Sequence, residues 1–311
     1  MRSKLPILLV GVALVALVLV TSGVRPLTAA RSRRSSPARV CSMLRRAVSH
    51  ATNVDRLIDA LLASAPSNRS LVLDVGLAHG KECFAIAESG HVCRGFEADP
   101  HHARLIIDKA ARHPQAARLQ IRHAAVGDAY ATVEFFADRH NRHGVGGTLS
   151  APGSGYVRNR SMAGWSRESV PLVRLDGQVE PHESVYLLKS DTQGHEMGVL
   201  RGAAGLFASG RVRFVLVEMA IRLLQSGNAI ADFERKAAAQ LEEAVQIIEL
   251  LHGYGFTCCD LPWHDRVGSI HALEGATRFG TPVDAWAWAE TLARYPVGKN
   301  GFVFTDLLCE A

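Results

Sequence analysis

The chain has 311 residues, 48% apolar and 21% charged, which suits one large α/β domain with a real core plus additional segments. Its net charge of +5 is concentrated at the amino end, where Arg2, Lys4, Arg25, Arg31, Arg33, Arg34, Arg39, Arg45 and Arg46 precede the first acid, Asp55. Behind them 26 basic residues face 30 acidic ones, so the body is mildly acidic and duplex nucleic acid is excluded as its expected ligand.

From Leu5 to Val20 every residue is apolar, glycine or proline, and the run continues to Val24 before Arg25. That length can span a bilayer, with basic residues on both flanks. A signal-anchor or transmembrane helix over 1–24 is expected, giving a single-pass membrane protein of the secretory pathway. Cleavage as a signal peptide is the alternative, since Thr28-Ala29-Ala30 offers small residues. Residues 25–52 are rich in Arg, Ser and Ala, which suggests a stem or linker, and the composition also fits an organelle transit peptide. A single folded domain is expected over 53–311.

Asn53 to Ala63 carries Val54, Leu57, Ile58, Leu61 and Leu62 at helical spacing. Leu71-Val72-Leu73-Asp74-Val75-Gly76 is a short continuous apolar run broken by glycine, the pattern of a strand buried on both faces. The turn Gly76 to Gly80 lets backbone approach a ligand, and a helix from Lys81 to Ser89 points its amino end at the same place. His91 to Glu97 reads as the second strand and ends on a carboxylate 23 residues after Asp74. In nucleotide-binding α/β folds an acid about 20 residues on accepts hydrogen bonds from ribose hydroxyls. Asp74, Gly76, Gly80 and Glu97 therefore sketch a nucleoside pocket. Cys83 and Cys93 fall in this helix and strand and are expected as free, small core residues. The six cysteines show neither paired CxxC spacing nor a zinc pattern.

Pro100 opens a helix to Ala111. A third strand is expected from Leu119 to Ala125, followed by Val126-Gly127-Asp128, and Thr132 to Phe136 adds another. From 138 to 169 the chain is Gly-, Arg- and Ser-rich, either a substrate lid that includes Trp165 or a surface insertion. Val170 to Asp176 reads as strand and turn. Tyr186 to Asp191 is an apolar strand ending on a carboxylate, then a turn at Gly194 and a helix with Glu196 in its first turn. Arg213 to Glu218 is a further buried strand, so Asp191 and Glu218 share one rim of the sheet. Two acids there can position a hydroxyl, take its proton or hold a cation. A helix from Asp232 to Gly253 and strands at Phe256 to Cys259 and Phe302 to Thr305 complete the chain. The insert 260–300, with Trp263, Trp286 and Trp288, has no readable period.

The Asp74 turn, Glu97, Val126-Gly127-Asp128, Val173-Arg174-Leu175-Asp176, and Lys189-Ser-Asp191-Thr-Gln-Gly194-His-Glu196 with Val199-Leu-Arg-Gly202-Ala203 resemble, in order and spacing, the FkbM-type S-adenosylmethionine-dependent methyltransferases. The resemblance runs from about Leu71 to Val217. It implies a doubly wound, seven-stranded, Rossmann-like α/β sheet that binds S-adenosylmethionine and methylates hydroxyl oxygens of sugars or natural products. It adds Ala125, Val126 and Asp128 to the cofactor residues as neighbours of the adenine. The chain departs from the family where Leu77-Ala78-His79 replaces an Ala-Asn pattern and where Gln193 replaces a common Glu. An alcohol acceptor needs a route for its proton. His195 is the lead candidate base, with Asp191 or Glu218 orienting it, and a helix-capping His195 is the plainer reading. No metal is assigned. A catalytically inactive, membrane-anchored binding or scaffold protein is the alternative function. The Gly-x-x-x-Gly spacing disfavours a nicotinamide oxidoreductase.

Overall fold

A computed structural model describes residues 54–139, 147–149, 164–222, 230–262, 284–285 and 302–311. The expected span and stem lie outside the described residues, as do Trp263, Trp286 and Trp288. Among the described residues no helix is long and apolar enough to cross a membrane.

The apolar runs bounded by glycine become the buried centre of the sheet. In chain order the elements are α1 (Val54–Ala63), β1 (Leu71–Val75), α2 (Lys81–Glu88), β2 (Val92–Glu97), α3 (Pro100–Ala111), β3 (Leu119–His123), β4 (Ala125–Val126), β5 (Ala131–Asp138), β6 (Trp165–Val173), β7 (Val185–Ser190), α4 (Glu196–Gly202), α5 (Ala204–Ala208), β8 (Val212–Arg222), α6 (Ile230–Gly253), β9 (Thr257–Pro262) and β10 (Phe302–Glu310). Every residue of β1 and β7 is buried, as expected of strands covered on both faces.

Seven strands form one sheet in the order β3-β2-β1-β7-β8-β10-β9. Strands β3, β2, β1, β7 and β8 are parallel, and β10 runs antiparallel to both β8 and β9. The expected seven-stranded α/β sheet is therefore present in a mixed form. Side chains alternate between two cores. Val72, Cys93, Leu187 and Leu216 pack with Leu57, Ile58 and Leu61 of α1 and Phe84 of α2. Leu73, Val75, Leu188 and Val217 pack with Val199 and Leu200 of α4, Leu206 of α5 and Ile248 of α6.

The expected third strand divides in two. Ala124 donates its N–H to the Glu97 carbonyl at 3.0 Å, ending the pairing with β2. Ala125 and Val126 then pair with Leu172 and Val173 in a separate three-stranded sheet ordered β4-β6-β5. Trp165 opens β6 at one edge of the region read as an insert, and its partner across the antiparallel pair is Asp138. Residues 140–146 and 150–163 of that region lie outside the described residues.

The cysteines also differ from expectation. Cys83 and Cys93 are joined, with Cα atoms 5.4 Å apart, because the first turn of α2 faces β2. Cys258 and Cys309 are direct partners across β9 and β10 and form a second disulfide.

Candidate active site

Strand order reverses at β1 and β7, and a cleft opens beyond their carboxyl ends, where an open α/β sheet places its ligands. The cleft is about 690 Å³ including its open mouth. Phe96, Ala98, Ala124, Ala125 and Val126 give it an apolar wall, and Phe135 and Leu149 face them from the region of the smaller sheet. Glu97, Asp99, Asp191, Thr192, Gln193 and His195 supply polar groups, and among the described residues no lysine or arginine lines it.

One side is built from β1, α2 and β2. Gly76 has φ 87°, and a Cβ there would fall 1.8 Å from the Asp191 carbonyl oxygen, so only glycine permits this approach of the two strand ends. Gly80 precedes α2 and closes the turn by donating to the Leu77 carbonyl at 2.7 Å. It does not line the cleft. Ala78, with φ 51°, donates its N–H to Glu97 Oε2 at 2.8 Å, and Asp99 donates its own to Oε1 at 2.8 Å. Glu97 is thereby fixed at the cleft wall. Burial pushes its carboxyl up to about 7, against the pull of these two donors. Asp99 caps α3 through the N–H groups of His101 and His102 at 2.8 and 3.3 Å.

Asp74 lies elsewhere than the sequence suggests. It is fully buried and outside the cleft lining, 3.5 Å from Lys189 Nζ. Burial pushes it up to about 6, with Lys189 opposing.

The other side is the turn after β7. Asp191 donates its backbone N–H to the Val75 carbonyl at 2.9 Å, continuing the β1–β7 pairing to the cleft floor. Gln193 Nε2 donates to Asp191 Oδ1 and to Glu218 Oε2, each at 2.9 Å, from a backbone at φ 57°. Glu196 is buried and accepts from Thr192 N at 2.9 Å, Thr192 Oγ1 at 3.0 Å and Gly194 N at 3.0 Å. It shapes the turn more than it answers the helix dipole, and burial pushes it up to about 7.

The two rim acids are pushed in opposite directions. Burial would raise Asp191, but Lys189 at 3.6 Å, a hydrogen bond shared with Glu218 and the Gln193 amide together lower it. Burial and the Asp191 charge push Glu218 up to about 10. The two acids share a hydrogen bond and titrate together, Asp191 pushed down and Glu218 pushed up.

His195 lines the cleft, yet its buried Nε2 has no hydrogen-bond partner. A Cβ on Gly198 would come within 2.3 Å of that atom and one on Gly127 within 3.1 Å, so the ring packs into a glycine cradle. Burial lowers its pKa. Asp128 is exposed and outside the cleft lining, and its carbonyl accepts from Arg174. Among the described residues the grouping with metal-ligand spacing is Asp74 with Cys83 and Cys93, whose sulfurs are spent in the disulfide.

The structure thus brings Gly76, Glu97, Ala125, Val126, Asp191 and His195 together at one cleft. Glu218 joins through Gln193, Gly80 shapes the turn from behind, and Asp74 and Asp128 lie away from the lining. Sequence reading quoted Lys189 only as a letter of the motif, and it gave no donor role to Gln193 and no clamping role to Glu196. The strand period carried one signal: Lys189 and Asp191 are two apart and share a face.

The sequence profile of the Methyltransferase FkbM domain matches residues 74–258. No curated protein matches the chain. Among solved structures, the chain is similar to the methyltransferase FkbM from Methylobacillus flagellatus KT at 10% identity and TM-score 0.42, covering 70% of this chain and 47% of that one. The methyltransferase domain of bacterial CtHen1-CN shows 14% identity and TM-score 0.39, over 83% of this chain and 97% of that one. A TehB-like SAM-dependent methyltransferase from Corynebacterium glutamicum shows 11% identity and TM-score 0.32, over 88% and 97%.

Proposed function

The chain belongs to the Methyltransferase FkbM domain family, and from that premise we propose that it is an S-adenosylmethionine-dependent O-methyltransferase acting on a hydroxyl of a sugar or other small natural product. One observation carries the reading. The cleft at the strand-order switch has a carboxyl group on each side, Glu97 at the end of β2 and Asp191 just past β7.

The residues present fit the cofactor. Glu97 accepts one backbone hydrogen bond at each oxygen and so keeps acceptor capacity on both, which suits a vicinal diol. The apolar wall of Phe96, Ala98, Ala125 and Val126 suits a flat base. When bound, S-adenosylmethionine supplies a methyl group on a sulfonium, an electrophile whose displacement depends mainly on alignment. The protein's own part is to hold the acceptor oxygen in line and to receive its proton. Asp191 is the carboxylate at the cleft floor and takes that proton as the new C–O bond forms. Glu218 stays protonated and, through Gln193, fixes the orientation of Asp191. His195 packs the start of α4 and leaves the base role to Asp191.

Among the described residues the lining holds three acids and no lysine or arginine, which favours a neutral hydroxyl acceptor over a phosphate or carboxylate. Two disulfides in the described residues favour an oxidising compartment, in keeping with an amino-terminal signal-anchor that carries the domain into the secretory pathway. Calorimetry of the full chain with S-adenosylmethionine should show binding. Mass spectrometry of glycans and small metabolites from cells with and without the chain should then show products differing by one methyl group. Absence of both heat and thermal shift sinks the enzyme reading and leaves the binding or scaffold alternative.

A further inference from the structure

Lys189 sits near the centre of the sheet, 6% exposed, in a strand whose residues are otherwise Val185, Tyr186, Leu187, Leu188 and Ser190. An ammonium so buried persists only with partners. It has two, one on the neighbouring strand and one just past the end of its own. Parallel register sets Asp74 of β1 beside Lys189 of β7, with Oδ1 3.5 Å from Nζ. The strand period sets Asp191 on the same face, with Oδ2 3.6 Å away. Lys189 does not line the cleft.

We propose that Lys189 is a positioning residue that joins the two halves of the site, its buried ammonium keeping Asp191 a fixed carboxylate at the cleft floor while Asp74 serves as its counter-charge. The methyl-transfer reading above gives that carboxylate its purpose, while the electrostatic link itself stands apart from it. Asp191 and Glu218 lie close enough to share a proton, and Gln193 donates to one oxygen of each without favouring either. Lys189, in contrast, lies 3.6 Å from Asp191 and interacts with it more strongly than with Glu218, so its charge favours ionisation of Asp191. The charged groups that face this pair are Asp74 on β1, Glu82 on α2, Glu196 on α4, Glu218 on β8 and Asp306 on β10. All of them are acids. Lys189 is the cation that answers them from within the sheet.

The test is a carboxyl carbon NMR titration of the full chain labelled at aspartate, with Asp191→Asn and Asp74→Asn used to assign the two signals. In Lys189→Met the Asp191 midpoint should move up by about 1–3 pH units, the range by which a neighbouring cation lowers an aspartate. Lys189→Arg should hold it near the wild-type position. Should Lys189→Met fail to fold, the double variant Asp74→Asn/Lys189→Met removes the internal pair together and should show the same upward move. An Asp191 midpoint left unchanged in either folded variant overturns the proposal. Calorimetry of the wild type with S-adenosylmethionine runs beside it. Failure to bind there removes the methyltransferase reading, while the titration still decides the role of Lys189.

Discussion

The two halves of the cleft hold their functional groups by different means. On the β1–α2–β2 side the main chain sets the geometry: Ala78 and Asp99 give their N–H groups to Glu97, and Gly76 to the Phe96 carbonyl. On the β7–α4 side the side chains set it, through Gln193, Glu196 and Lys189. Each half contains one non-glycine residue in the left-handed region, Ala78 at φ 51° and Gln193 at φ 57°, and both line the cleft. The difference explains which departures from the family pattern matter. Leu77-Ala78-His79 changes side chains in a turn that works through backbone donors, so the link to Glu97 survives. Gln193 changes a side chain that itself does the bridging, and there an amide donor can satisfy two acids where a third acid would repel them.

The largest expected effect breaks the junction between the halves. Gly76→Val places a branched side chain at φ 87° against the Asp191 carbonyl, where even a bare Cβ would fall at 1.8 Å. Backbone strain and overpacking together should destabilise the domain by about 3 kcal/mol or more, read as a fall in the thermal midpoint and loss of cofactor binding. A variant as stable as the wild type would show that the halves do not depend on this contact. Next, Asp191→Asn should lower kcat by about 10²–10⁴-fold with cofactor affinity nearly unchanged, because it removes the proton acceptor and leaves the other half intact. Transfer of labelled methyl into a glycan and metabolite extract measures the first, and calorimetry the second.

Glu97→Gln acts on the opposite half and should weaken S-adenosylmethionine binding by about 10–100-fold, the loss of a hydrogen-bond pair to a charged acceptor. Its pH dependence sharpens the assignment. With its carboxyl raised to about 7, Glu97 is ionised at pH 8 and largely protonated at pH 6, so wild-type affinity should fall as pH drops across that range. The Glu97→Gln variant should lack that fall, and an identical slope in both would move the titrating group elsewhere.

Much of this site was legible because the strand ends announce themselves. A continuous apolar run closing on glycine or a carboxylate marks β1, β2 and β7, and so Gly76, Glu97 and Asp191 fell into one cleft. What the sequence could not show depended on contacts between segments far apart in the chain. Asp74 looks like a ligand from its motif, but the parallel register aims it at Lys189 behind the cleft. His195 has the right chemistry for a base, but Gly127, 68 residues earlier, offers it a packing site. The cysteines carry no spacing signal because Cys83–Cys93 and Cys258–Cys309 are set by helix-to-strand and strand-to-strand facing.

The smallest expected effect concerns the wall that both halves share. Arg139, just past β5, donates to Asp99 at 3.0 Å and 3.3 Å and to Glu168 of β6 at 3.3 Å, tying the smaller sheet to the cap of α3. Arg139 is partly exposed while Asp99 is buried, so the pair is worth more than a fully solvated one yet stays screened on the arginine side. Asp99 keeps its cap donors from His101 and His102 when the guanidinium is gone. Arg139→Ala should therefore lower stability by only about 0.2–1 kcal/mol, read in denaturant unfolding, and leave Glu97 in place through the Asp99 N–H. Cofactor affinity should change less than twofold. A larger loss of affinity than of stability would mean that the smaller sheet, and not only the backbone of β2, positions the cofactor half.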